Sequence, residues 1–527
     1  MPKATARKRP ELQPATGCDV ASLDPEDWSE LRGLGHRMLD DMFEYLEHVR
    51  QRPVWQPMPE SVRAEFRTAI PQSPSALAEV YDEFSQSILP YALGNVHPGF
   101  MGWVHGGGTA VGMLAEMLAS GLNSNVGGRD HAAVVVEQQI VRWMRELFDF
   151  PEGASGVFVT GTSAANLLAV LVARTQALGC EIRKRGLGEE GAQLRAYASR
   201  AAHGCVARAT DIAGLGSDAL RTIETDARHR LNVQALAEAV RSDRASGLSP
   251  FLVVGTAGTV DIGAIDDLAA IAEFCRREGL WFHVDGAFGA LGIMSPHLAP
   301  RLAGIEQADS IAFDFHKWGQ VPYDAGFLLV RDGARHEAAF ASPAAYLQRH
   351  ARGMAAGSPW PCDLSFDLSR GFRALKTWFA LKTFGTERLG EAMHHCCEVA
   401  RHLAERIAAE PSLELLAPVQ LNIVCFRHRA AEPNSFNTEL AVRIQESGIA
   451  APSTTMIDGQ VAIRAAITNH RTQVSDADAL VDAALRLAKT LAREQPHLRL
   501  AEEPAPDAIP MERRSFAPTC SGRIGAI

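Results

Sequence analysis

Leu280-Trp-Phe-His-Val-Asp-Gly-Ala287 is a short apolar run that closes on an acid, and Ala308-Asp-Ser-Ile-Ala-Phe-Asp-Phe-His-Lys-Trp318 is a second that closes on His316-Lys317. Both have the length and composition of buried strands. Further strand candidates lie at 156–160, 250–255 and 325–330, and 310–313 falls inside the second run. Helical patterns at 164–178, 232–243 and 267–278 separate them. Short apolar strands alternating with helices predict an α/β fold with a mostly parallel sheet covered on both faces. Ligands of such sheets sit outside the carboxyl ends of the strands. Asp285 and Lys317 both fall at predicted strand ends.

Working outward, residues 1–22 are polar and rich in Pro, Ala and Thr, and are expected to be a disordered tail. Residues 23–94 read as a helical arm. Asp24-Pro25-Glu26 looks like its start, with Asp24 as N-cap and a first helix running to about residue 50. The large domain spans 95–375 and a smaller α+β domain spans 376–495. The latter carries a long helix to about residue 409, strands at 421–427 and 461–467, and a last helix starting at Ser475 as N-cap. The tail 496–527 is Pro-rich, with disorder again expected.

Composition narrows the class. The chain has 527 residues, 46% hydrophobic and 22% charged, which is ordinary globular usage. A net charge of -10 with no long basic stripe argues against a nucleic-acid binder. Nine scattered cysteines form no Cys-x-x-Cys pair, so neither a zinc ribbon nor a redox motif is supported, and a reducing compartment fits. No apolar run reaches membrane-span length and the start lacks a signal-peptide core. The expectation is a soluble, cytoplasmic protein with no metal, membrane or nucleic-acid partner.

Four features then converge. Thr160-Gly161-Thr162-Ser163 follows a strand and opens a helix, so its N–H groups and hydroxyls can hold a phosphate. His203 follows a short apolar stretch and can stack on a planar ring. Asp285 and Lys317 suit a pyridoxal 5'-phosphate site: the lysine holds the aldehyde as a Schiff base, and the acid keeps the pyridine nitrogen protonated. Each has a plainer reading alone: a helix cap, a structural histidine, a capping acid, a solvated lysine. All four in this order make coincidence a poor account.

The chain resembles the pyridoxal-phosphate-dependent group II amino-acid decarboxylases, which include aromatic-L-amino-acid, histidine and glutamate decarboxylases. The resemblance covers about residues 24 to 490. It rests on Asp314-Phe-His-Lys-Trp318, His283-Val-Asp-Gly-Ala287, His97-Pro-Gly-Phe100, Arg373-Ala-Leu-Lys-Thr-Trp378 and the late strand with Arg464. It implies the type I fold of these enzymes, with a seven-stranded sheet, and a homodimer with sites at the interface. It further implies that Lys317 forms the internal aldimine and Asp285 pairs with the pyridinium. His203 stacks on the ring, Ala287 packs against it, and Thr162, Ser163 and His316 reach the phosphate. Thr259 falls near a segment that faces the cofactor in the family. Tyr346, in the Ala/Gly/Ser-rich stretch up to Ser358, matches the loop tyrosine that protonates Cα, where a phenylalanine marks relatives that form aldehydes.

The resemblance therefore implies conversion of an L-amino acid to its amine and CO2. The alternatives are aldehyde synthesis, transamination or C–S cleavage on the same cofactor, or a catalytically idle cofactor-binding relative. The substrate segment departs from the aromatic enzymes: it reads Phe100-Met-Gly-Trp-Val-His-Gly106, with Trp103 keeping one aromatic and His105 in place of a proline. Gly106-Gly107-Gly108 reads as open. Trp103 and His105 are the candidate substrate contacts, and residues 123–130 are candidates for completing a partner's pocket. An aromatic substrate is the first expectation; a polar or acidic amino acid suits the same pocket.

Overall fold

The computed structural model describes residues 22–342, 348–498 and 500. In chain order the strands are β1 (Phe100–Met101), β2 (Ser155–Val159), β3 (Leu194–Ser199), β4 (Leu220–Ile223), β5 (Ser249–Thr256), β6 (Trp281–Asp285), β7 (Ser310–Asp314), β8 (Gly326–Val330), β9 (Leu413–Leu415), β10 (Ile423–His428), β11 (Ala451–Ile457) and β12 (Gln460–Ala466). β2 to β8 form one seven-stranded sheet in the order β2-β8-β7-β6-β5-β3-β4. β7, β6, β5, β3 and β4 pair in parallel, and only β8 runs against its two neighbours. A mostly parallel sheet is thus what the alternating pattern produces.

Both faces of this sheet are buried, and period-two alternation sorts the side chains between them. Phe158, Tyr197, Val253, Phe282, Val284, Phe313 and Phe327 point into one core, which the helices Ala132–Leu147, Val233–Ala245 and Leu268–Glu278 also enter. Val157, Ala196, Leu252, Trp281, Ala312 and Leu328 point into the other, beneath the helices Thr162–Leu178 and Cys205–Ile212. The register sets Thr256 opposite Asp285, Asp285 opposite Ala312, and Asp314 opposite Gly326. Three polar side chains therefore reach the same end of the sheet.

The second sheet has the order β1-β11-β12-β10-β9 and its own apolar core. β1 pairs in parallel with β11, through Phe100 opposite Ala451. That pairing ties the segment after His97 to the C-terminal sheet, a long-range contact with no local signal in the sequence. Arg464 on β12 strengthens the tie. Buried, it donates to the carbonyls of Gly102 at 2.8 Å, Asp261 at 3.2 Å and Val260.

Two helix starts differ from the sequence expectation. The first helix is Trp28–Glu47, and its N-cap is Asp27 rather than Asp24. Asp27 Oδ1 accepts from the Ser29 N–H at 2.7 Å, which satisfies a first-turn donor that Asp24 lies too far upstream to reach. The last helix is Val474–Glu494, capped by Gln473 rather than Ser475. There the Asp476 carboxylate accepts the Gln473 N–H at 2.7 Å in a capping box, so the helix is already turning at Ser475. The long helix Arg373–Ala408 breaks at Gly385, where φ is 67°. Among the described residues no helix is long and apolar enough to cross a membrane.

Candidate active site

The carboxyl ends of β5, β6 and β7 open onto one cavity of about 380 Å³. Nine residues expected at the site line it: Lys317, Asp285, His203, Thr162, Ser163, Ala287, His316, Trp103 and His105. Tyr346 lies outside the described residues. Thr259 does not line the cavity. Its hydroxyl oxygen accepts the Ala264 N–H at 2.9 Å and closes a turn, while Thr256, at the end of β5, faces the cavity instead.

Asp285 is a buried acid, 3% exposed. Alternation along β6 puts Trp281, His283 and Asp285 on one face, toward the helix Thr162–Leu178. From that helix the Asn166 amide donates to Asp285 Oδ2 at 2.9 Å, and the Ala287 N–H donates to Oδ1 at 3.1 Å. Burial pushes the Asp285 carboxyl above the usual carboxylate range, and the Asn166 hydrogen bond and the Lys317 charge pull it back. A buried acid that can become an anion only beside a matching cation suits a protonated ring nitrogen. Cys205 borders the same carboxylate, 3.8 Å from Oδ2, and burial followed by the Asp285 charge pushes its thiol up to about 12. It stays protonated and is no nucleophile.

Lys317 projects from the turn after β7. Its Nζ is 3.0 Å from Asp314 Oδ2. The same buried carboxylate is 3.5 Å from His316 Nε2 and accepts the Thr162 N–H at 2.7 Å through Oδ1. One N–H at the start of the helix Thr162–Leu178 is therefore already taken. The Thr162 hydroxyl is buried with no partner among the described residues, as is that of Thr256. A buried Thr162 hydroxyl at the mouth of a helix, beside Ser163 and His316, is a donor awaiting an acceptor, and a phosphate ester meets that need. The Ala325 N–H donates to His316 Nδ1 at 3.0 Å, which leaves Nε2 to carry the ring proton. Burial holds His316 down at about 4, so the ring is neutral.

The outer wall is aromatic. Phe100 and His105 stack at 5.8 Å, Trp103 and His105 at 6.1 Å, and Tyr323 meets His105 edge-on at 5.9 Å and His316 at 4.2 Å. His105 Nδ1 is buried without a partner among the described residues. Burial holds this ring below its ordinary value, and the Lys317 and Arg464 charges add to that. Gly106 and Gly107 do not leave the segment open, as the sequence suggested, whereas Gly108 does face open space. A side chain on Gly106 would lie 2.4 Å from the carbonyl oxygens of both His316 and Lys317, and one on Gly107 would meet the Asn469 side chain at 2.6 Å. Gly106 lets two backbones touch, bringing this segment against the lysine turn.

Sequence reading missed Asn166, Thr256, Asp314 and Tyr323. Asp314 stands in the motif that identified Lys317, and its place on β7 already put it beside the lysine. Asn166 was out of reach, because its contact with Asp285 spans 119 positions.

A lysine and a buried acid at strand ends, facing a helix mouth with free hydroxyls, define a pyridoxal-phosphate enzyme built on an α/β sheet. Residues 59–429 match the family model described as the pyridoxal-dependent decarboxylase conserved domain. The chain belongs to this family, and is a carboxy-lyase that uses pyridoxal phosphate. It is 32% identical over 458 residues to the aromatic-L-amino-acid decarboxylase of Bacillus atrophaeus, covering 85% of this chain and 93% of that one. It is 29% identical over 461 residues to a phenylacetaldehyde synthase of Arabidopsis thaliana, covering 84% and 93%. Among solved structures, Oryza sativa TDC with PLP and tryptamine superposes with a TM-score of 0.82 at 24% identity, covering 89% of this chain and all of the other.

Proposed function

We propose that the protein decarboxylates an aromatic L-amino acid to the amine, with Lys317 as the attachment point of the cofactor and Asp285 as the partner of its ring nitrogen. The observation that carries this is the convergence of both residues on one cavity whose outer wall is aromatic. Bound pyridoxal phosphate supplies an electron sink for the pair left behind when CO2 departs. Asp285 holds the proton on the ring nitrogen. Thr162, Ser163 and neutral His316 orient the phosphate, and His203 and Ala287 lie against the ring. Trp103, His105 and Tyr323 receive the substrate side chain, with Phe100 stacked behind His105. Tyr346 is assigned the return of a proton to Cα.

Exposed apolar side chains on the N-terminal helices and just after them, including Trp28, Leu77, Val80 and Ile88, support a homodimer. The two separate sheets support a large domain (95–375) and a small domain (376–495) after an arm (23–94), with β1 crossing over to pair in the small domain's sheet. A cytoplasmic setting fits the free cysteines among the described residues.

The test is a panel of the common amino acids and hydroxylated aromatic ones, incubated with cofactor, with CO2 and organic product both measured. The expected result is stoichiometric CO2 and amine from aromatic substrates. Aldehyde or keto acid in place of amine overturns the proposed reaction, and turnover confined to acidic or aliphatic amino acids overturns the substrate class.

A further inference from the structure

Behind Asp285 runs a line of buried polar groups to which the proposed reaction gives no role. The Trp281 indole N–H donates to Ser310 Oγ at 2.9 Å. Ser310 Oγ is 2.8 Å from His283 Nδ1, and His283 Nε2 is 2.8 Å from Asn166 Oδ1. Asn166 Nδ2 donates to Asp285 Oδ2 at 2.9 Å. All five side chains are buried, with Ser310 at 0% exposure and Asn166 and His283 at 1%. The sheet makes this line possible. Trp281, His283 and Asp285 share one face of β6, Ser310 opens the same face of β7 opposite His283, and Asn166 hangs over them from the helix.

The chemistry of the two ends gives the line a direction. An indole nitrogen can only donate and an ionised carboxylate can only accept. With Asp285 ionised, Asn166 turns its amide to the carboxylate and its oxygen to His283. His283 then carries its proton on Nε2 and presents a bare Nδ1. The Ser310 hydroxyl donates to that Nδ1 and accepts from Trp281. Every donor in the line then has an acceptor, the second Asn166 amide hydrogen going to Cys205 Sγ at 3.1 Å, and every dipole along the line points the same way. The opposite sense requires a proton on Asp285 and leaves the Ser310 hydrogen without a partner in the line. A neutral His283 is needed in both cases, and burial holds it down at about 3.

We propose that Trp281, Ser310, His283 and Asn166 form a one-way hydrogen-bond chain that keeps Asp285 as the carboxylate and so assigns the shared proton to the cofactor ring nitrogen. This rests on the reading of Asp285 as the ring-nitrogen partner. The four are positioning residues, since none of them lines the cavity. Aligned hydrogen bonds in a buried setting polarise one another, so loss of a distant link is felt at the carboxylate.

The experiment measures cofactor affinity by titration of the cofactor-free protein, and the pH midpoint of the visible band of the lysine-bound cofactor. The variants are Asn166→Leu, Ser310→Ala, Ser310→Thr, His283→Gln and Asp285→Asn. Asn166→Leu should weaken affinity by about ten- to a hundredfold, as for a hydrogen bond to a charged group, and Ser310→Ala by about two- to tenfold. Ser310→Thr restores the hydroxyl and His283→Gln keeps one donor and one acceptor, so both should recover most of the affinity and the band midpoint. The Ser310→Ala effect should vanish in an Asp285→Asn background, where no anion remains to be held. An equal Ser310→Ala effect in both backgrounds, or no difference between Ser310→Ala and Ser310→Thr, overturns the chain. If Asp285→Asn itself changes neither affinity nor band, the assignment of Asp285 fails first, and that outcome is distinct from failure of the chain.

Discussion

Lys317 Nζ lies 3.0 Å from Asp314 Oδ2, on a carboxylate that is 3% exposed and also accepts the Thr162 N–H. The nucleophilic amine is thus held by an acid three residues upstream. The same acid places a negative charge beside the proposed phosphate donors. Asp314→Asn keeps an acceptor for the Thr162 N–H while removing the charge. Cofactor should load faster and bind about three- to tenfold more tightly, in line with one relieved like-charge contact near 1 kcal/mol. Stopped-flow absorbance of loading checks this, and slower loading would count against it.

Lys317→Ala leaves the cavity lining otherwise intact but removes the amine. The protein should still bind cofactor through Asp285 and the hydroxyls, without the Schiff-base absorbance and without turnover. A retained Schiff-base band would take Lys317 out of its assigned role.

His105 packs between Phe100, Trp103 and Tyr323 with Nδ1 buried and unpartnered among the described residues. Such an atom is satisfied by a polar group on the substrate ring. His105→Phe should lower kcat/KM for a hydroxylated aromatic substrate by about tenfold, equal to one hydrogen bond of about 1.4 kcal/mol, and leave phenylalanine within about twofold. An equal change for both substrates would show that His105 only packs.

Four buried histidines have folded values far below the ordinary 6.5: His283 at about 3, and His316, His336 and His470 at about 4, each through burial first. Below pH 6.5 the unfolded chain takes up protons that the folded chain refuses, so their contribution is complete above 6.5 and is lost as pH falls toward 4. Each contributes a slope of up to about 1.4 kcal/mol per pH unit in that window. Asp266, raised to about 6 by burial, and Asp285 and Asp309, raised in the same direction, act with the opposite sign. The histidines outnumber them. Thermal unfolding of the cofactor-free protein should therefore show a Tm that falls from pH 7 to pH 5, and a flat or rising Tm would contradict the neutral histidines.

Gly106→Ala sets a methyl group 2.4 Å from two backbone oxygens, which cannot swing aside as a side-chain tip can. The cost should be about 1–3 kcal/mol, the range for overpacking. The displaced lysine turn should also weaken cofactor binding. Denaturant unfolding and cofactor titration check the two effects separately.

Much of this protein is local, and so legible along the chain. Apolar runs of four to eight residues become strands because the pattern suits burial on both faces, and the helices between them force parallel crossovers. Lys317 and Asp285 follow from position, since each closes such a run. Helix starts at Asp27 and Gln473 eluded the reading because several polar residues nearby can cap, and the choice depends on which carboxylate reaches which N–H.

What only the folded chain decided is pairwise contact at long separation. The parallel pairing of β1 with β11, the Gly106 contact with the lysine turn, and the line from Trp281 to Asp285 through Asn166 all join residues that no window of sequence holds together. A strand's own residues state which faces are apolar; which polar atoms meet across the sheet is set by register and by the helix laid over it, and those are properties of the whole packed molecule.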